Sequence, residues 1–204
     1  MARPFAYTPV RTAAPAEAPV TLAEAKAHLR VDHADDDTLI TALIQAATAH
    51  LDGWSGVLGR ALITQTWSQL FDGFETPLRL PLPAVEVDSV IYVDPDGEST
   101  TLDPETYQLR QDALGSFVEP VHGADWPTPR SQTGAVSVVF TAGEPRSSVP
   151  HPIKAAILLM VGRSLVRLGQ RSQEAGLAIA ESAIERAVMQ CYALEGMYPP
   201  NLDY

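Results

Sequence analysis

Residues 20–56 read VTLAEAKAHLRVDHADDDTLITALIQAATAHLDGWSG, and the spacing of their polar and apolar residues decides how the fold begins. Thr21 and Glu24 stand in the S/T-x-x-E arrangement of a capping box, in which side chains and backbone satisfy each other at a helix start. A first helix is therefore expected from Thr21 to about Arg30. The stretch VDHADDD breaks it. Asp35 or Asp36 can cap a second helix, whose first turn favours carboxylates near the positive end of the helix dipole. Leu39, Ile40, Leu43, Ile44, Ala47, Leu51 and Trp54 then recur on one face at helical spacing. Gly53, Gly56 and Gly59 mark the exit.

The same stretch gathers His28, Asp32, His33, Asp35, Asp36, Asp37, His50 and Asp52, which raises the question of a metal site. Consecutive aspartates on a helix splay by about 100° per residue and cannot converge on one ion. His28 and Asp32 are four residues apart, but the break after Arg30 removes their common face. No H-E-x-x-H or calcium-loop pattern is present. The acidic run reads as punctuation between two helices, and no metal ligand is assigned.

Beyond residue 60 the period changes. LITQTWSQLF alternates, with Ile63, Trp67 and Phe71 expected on one side. VEVDSVIYV places Val85, Val87, Ile91 and Val93 on one side, followed by the turn DPDG. TYQL, GSFVEPV and AVSVVFTAG continue the pattern of short strands. Such strands, punctuated by Gly, Pro and Asp, indicate an antiparallel sheet or small barrel rather than βαβ units. Pro77, Pro81 and Pro83 confine LRLPLP to an edge. The fold class is α+β.

A third helix opens at VPHPIKAAILLMVGRSLVRLG, with Pro152 suited to the first turn and Gly169 to the close. Ile153, Ala156, Ile157, Met160, Val161, Leu165 and Leu168 form its apolar face. Leu158, Leu159 and Val166 lie off that stripe, which suits a helix central in its domain or shared with another subunit. Arg163, Arg167 and Arg171 form a row on another face; the row is either solvated or pairs with the acidic β region of a neighbouring copy. Leu158, Leu159, Arg163, Val166, Arg167 and Arg171 are the candidate subunit-interface residues. A fourth helix is expected over roughly 174–195, with Leu177, Ala180, Ile184, Val188 and Cys191 inward. The ending GMYPPNLDY suits an extended tail. Residues 1–19, rich in Pro and Ala, suit an extended arm, either a loose tail or one that orders against a neighbour through Phe5 and Tyr7.

The 204 residues have a formal net charge of −11. Residues 61–149 hold four basic and thirteen acidic side chains, most of that excess. Sequence-independent DNA binding relies on cations that neutralise phosphates, so a gripping nucleic-acid binder is not expected. No apolar run approaches the roughly 20 residues of a membrane helix, and the N-terminus lacks the apolar core of a secretory signal. With Cys191 alone, no disulfide framework is possible within the chain. There is no G-x-S-x-G, no G-x-G-x-x-G and no Walker loop, so no catalytic or cofactor-binding residue is assigned and no cofactor is expected.

The order of parts resembles the head–tail connector (adaptor) proteins of long-tailed bacteriophages, prophages and gene transfer agents. The resemblance runs from about Val20 to Leu168 and rests on T-L-x-E-A-K-x-H-L with its acidic lead into the second helix, joined to P-x-P-I-K-A-A-I-L-L. The fourth helix and aromatic tail after Gly169 depart from the shorter ending such proteins have. The resemblance implies a helical bundle formed by N- and C-terminal helices (residues 20–60 and 150–196) with an inserted antiparallel β domain (61–149). It also implies a non-enzymatic ring, usually of twelve copies, beneath the portal that extends the DNA channel. The ring would bind the portal protein on one side and a downstream neck or tail protein on the other, with double-stranded DNA passing through unspecifically. Its place would be the virion head–tail junction, after synthesis in the bacterial host cytoplasm, without a membrane. The tail 197–204, with Met197, Tyr198, Pro199, Pro200, Leu202 and Tyr204, is expected to dock onto the portal or an adjacent subunit. The alternatives are another neck or tail-completion protein, or a small metal-dependent enzyme with its site in the acidic β region.

Overall fold

The computed structural model describes residues 7–170, with side chains through residue 167. They divide into two compact units, one of residues 7–17 and 51–145, the other of residues 18–50 and 146–170.

The helical unit starts as its sequence dictates. Helix α1 spans Leu22–Leu29, and the Thr21 backbone N–H donates to Glu24 Oε2 at 2.7 Å while the Glu24 N–H donates to Thr21 Oγ1 at 3.1 Å. These bonds hold the Glu24 carboxyl below the usual carboxylate range, the Thr21 backbone N–H being the largest cause. Arg30 ends the helix in the left-handed region at φ 57°, returning its N–H to the Ala27 carbonyl. Helix α2 spans Asp37–Leu51, directly after Asp36. Lys26 Nζ meets Asp37 Oδ1 at 2.5 Å and ties α1 to the start of α2. The buried stripe of α2 is Ile40, Ile44, Ala47 and Leu51. It is narrower than the expected face: Leu39 is 37% exposed, Leu43 is half-buried, and Trp54 lies past the helix end.

Helix α3 spans His151–Gln170, so Gly169 does not close it. Ile153, Ile157 and Val161 are its buried stripe, whereas Ala156, Met160 and Leu165 are half-buried. It packs against α1, and Gly162 lies close to Leu29. Arg146 Nε donates to the Ala18 carbonyl at 2.7 Å, joining the approach to α3 to the approach to α1. The expected fourth helix and the side chain of Leu168 lie outside the described residues.

The β unit holds two antiparallel sheets. The larger runs in the order β1 (Val10–Ala13), β2 (Gln65–Phe71), β8 (Val136–Ala142), β4 (Ala84–Val93), β5 (Ser99–Thr101). The smaller runs β3 (Leu78–Arg79), β7 (Gly115–Pro120), β6 (Tyr107–Asp112). Trp67, Leu78, Leu80, Leu82, Val90, Val118, Val136, Val138 and Phe140 are among the residues of one buried cluster. The proline-flanked β3 is an edge strand, as its sequence requires.

Two expectations are corrected here. In β4 the inward residues do not follow simple alternation. Register shifts between Ala84 and Glu86 and between Val87 and Ser89 re-aim the strand. Val87 opposes Phe140 and Val90 opposes Val138, so an odd and an even position share the core face. Val85 is left 64% exposed. In β2, Gln65 and Gln69 are buried beside Trp67, while Phe71 is only half-buried. The second correction concerns the arm expected over residues 1–19. Its residues 10–13 form β1, paired antiparallel with β2 through Val10 to Ser68 and Arg11 to Trp67.

Candidate assembly surfaces

Buried polar groups hold β1 in place. Asp52 is 8% exposed and accepts from the Leu62 N–H at 2.7 Å and from Gln65 Nε2 at 2.9–3.0 Å. Gln65 Oε1 accepts from Arg11 Nη1 at 3.4 Å, and Arg11 stands 4.0 Å from Asp52. A carboxylate removed from water is tolerable only with such partners. Just before β1, the Tyr7 hydroxyl donates to Asp72, which also accepts from the Gly134 N–H at 2.8 Å. Asp72 is thereby held below the usual carboxylate range, and the hydrogen bond to it raises the Tyr7 hydroxyl. Tyr7 thus anchors to its own chain, and Phe5 lies outside the described residues. Asp52, one of the carboxylates in the histidine–aspartate stretch, is therefore structural; its inward place between Leu51 and Gly53 at a helix exit is the signal for that role.

On α3, Leu159, Arg163, Val166 and Arg167 follow i, i+4, i+7 and i+8 spacing and share one side, with Leu158 about 100° round. Leu158, Leu159 and Arg163 are half-buried, Val166 is 36% exposed and Arg167 is exposed. Arg163 and Arg167 both interact with other groups of the chain. Arg171 and the tail residues Met197, Tyr198, Pro199, Pro200, Leu202 and Tyr204 lie outside the described residues.

The histidine–aspartate stretch between α1 and α2 does not assemble a ligand set. His33 stands 3.8 Å from Asp35 and 3.9 Å from Asp36, while Asp37 is taken by Lys26. Among the described residues, no three His, Cys, Asp or Glu side chains are placed to hold a metal ion. A shallow hollow of about 390 Å³ on α2, lined by Asp37, Thr38, Thr41, Ala42 and Gln45, offers one carboxylate and no paired base. No helix among the described residues is long and apolar enough to cross a membrane.

The β6–β7 hairpin projects a different surface. Arg79 forms a two-pronged pair with Asp112 at 3.0 and 2.6 Å and lies over the Phe117 ring at 5.5 Å. That guanidinium holds the Asp112 carboxyl down at about 2. At the hairpin tip Leu114 is 80% exposed.

A capped helix pair running into an antiparallel β unit is the arrangement against which known proteins can be compared. Residues 19–87 match the model of the phage gp6-like head-tail connector protein family. The match covers both N-terminal helices and the chain into β4. The connector family is one of structural virion proteins rather than enzymes. The fold as a whole is similar to a chain in the virion of a native gene transfer agent particle, with a TM-score of 0.62 and 22% identity. That similarity covers 88% of this chain and 94% of that one. A chain in the neck of an empty gene transfer agent particle, computed with C6 symmetry, gives 0.61 at 21% identity, over 89% and 95% of the two chains. A third, in the neck of the native particle computed with C12 symmetry, gives 0.54 at 21%, over 89% and 94%. No curated protein matches the chain.

Proposed function

We propose that this chain is a structural head–tail adaptor of a phage-like particle, a subunit of a closed ring beneath the portal that continues the DNA channel towards the tail. The observation that carries the reading is the coincidence of two likenesses: a connector-family match over residues 19–87, and a shared fold spanning nearly the whole length of gene transfer agent neck chains. In this reading residues 20–60 and 150–196 form the helical bundle, residues 61–149 are the β domain inserted in it, and residues 197–204 dock onto the portal or a neighbouring subunit. Leu158, Leu159, Arg163, Val166, Arg167 and Arg171 meet the next subunit. Twelve copies fit the twelvefold symmetry used for a related neck.

Ring closure needs heterologous contacts, in which two different patches of the same chain meet and the rotation returns to its start. The charge suits a conduit. Residues 61–149 carry thirteen acidic and four basic side chains, so a channel wall made of them repels phosphates and lets DNA slide. Replacing channel-facing carboxylates by amides should slow genome ejection or leave DNA retained; ejection at the wild-type rate would count against this role. The direct test of the adaptor reading is electron microscopy of the chain mixed with purified portal. A collar of added density at the tail-facing end is expected, and portals left bare at saturating protein would refute the reading.

A further inference from the structure

The five-stranded sheet ends in two different open edges. Among the described residues β1 pairs with β2 alone and β5 with β4 alone. An open edge offers unpaired backbone N–H and C=O groups to any passing strand, and proteins commonly guard it with charge, proline or a bulge. The smaller sheet is guarded in that way. Its β3 is two residues long between Pro77 and Pro81, and its β6 carries Arg110 and Asp112, each in an ion pair. The edges of the larger sheet are barely guarded. β5 reads Ser99-Thr100-Thr101, without charge or proline. β1 reads Val10-Arg11-Thr12-Ala13, with every residue exposed, Val10 to 60%, and only one register shift, between Arg11 and Ala13, to blunt it.

The two edges are also unlike in charge. Residues 1–16 hold two arginines and no acid, and Arg11 stands in β1 itself with its side chain 46% exposed. Residues 86–105, which contain β5, hold seven acidic side chains and no basic one. An edge that carries Arg11 and an uncharged edge flanked on both sides by carboxylates, on opposite ends of one sheet, complement each other between copies and not within one.

We infer that β1 of one copy pairs with β5 of the next, so that the larger sheets join into a continuous belt of strands. This deepens the adaptor reading and rests on it: edge-to-edge pairing of unlike strands is a heterologous contact of the kind a ring requires, whereas β1 on β1 would give a two-fold dimer and stop.

Within one chain the edges are four strand spacings apart, about 19 Å at roughly 4.8 Å per spacing. A disulfide needs Cα atoms within about 7 Å, so a β1–β5 disulfide can form only between copies. The test uses the full-length chain with Cys191→Ser, carrying one cysteine on each edge (Val10→Cys or Thr12→Cys with Ser99→Cys or Thr101→Cys), assembled on purified portal rings and oxidised. A ladder of covalent multimers is expected from at least one double variant and from no single variant. Hydrogen exchange on the unaltered chain gives an independent reading: amides in 10–13 and 99–101 should slow together by about tenfold or more on assembly. Rings that form while no pair cross-links and neither strand gains protection would overturn the belt and leave the adaptor reading standing. Cross-linking by a single β1 cysteine would overturn it in favour of two-fold pairing. A chain that never joins the portal would defeat the adaptor reading, and the belt with it.

Discussion

At the scale of single residues, the most informative carboxylate is Asp112. Arg79 and the Leu114 N–H hold its folded pKa at about 2, below the roughly 3.9 of an unperturbed aspartate. A depressed carboxylate pKa means that the pair's contribution to stability is fully present above about pH 4 and is lost as pH falls through about 2. Thermal melts of the wild type and Asp112→Asn between pH 5 and pH 2 should therefore converge at the acid end and differ at pH 5; a constant gap across that range would contradict the linkage. Residue-scale reading of the sequence was least reliable where the backbone irregularities of β4 intervene. Alternation puts Val85 on the side of Val87 and Val90 on the other, yet Val85 is 64% exposed and Val90 fully buried. A register shift changes the parity of every later residue and has no signature in hydropathy alone. The buried Gln65 and Gln69 have no signature in hydropathy for a related reason: polar residues on an inward face are identified only by the partners they meet.

At the scale of elements, legibility followed how local the determinants are. Helix α1 is written within ten residues, from the Thr21–Glu24 box to Arg30, and the structure reproduces it. Replacing Thr21 by Ala removes a side-chain acceptor at the helix start and should cost about 1 kcal/mol. Thr21→Ser, which keeps the oxygen, should cost only a few tenths, and urea unfolding followed by far-ultraviolet circular dichroism separates the two. Equal losses would show that the cap is not what holds α1. Strand β1 illustrates the opposite case. Its four residues are all exposed and carry no alternation, and its partners Asp52, Gln65 and Trp67 come some forty to fifty-five residues later. Only pairing with β2 makes it a strand. On α3 the buried stripe proved narrower than the apolar periodicity suggests.

At the scale of the molecule, the change from helical to alternating period pointed to an α+β chain, the charge count put its acidic excess in the β region, and both helices and antiparallel sheets are present. Deleting residues 197–204 should leave folded chains that no longer join portals, measured by co-sedimentation of the truncated chain with purified portal. Undiminished co-sedimentation would remove that segment from the docking role. The order of segments has a further consequence. The helical unit is assembled from residues on both sides of the β unit, with Ala18 and Arg146 joined across 128 positions. During synthesis α1 leaves the ribosome more than a hundred residues before α3, against which it packs, so it has to wait for a late companion. Closing so long a loop delays native contact formation. Pulse-labelling of a refolding chain should then find the amides of β2 and β8 protected ahead of those of α1; the reverse order would show that the first helices are held by something nearer to them in the chain.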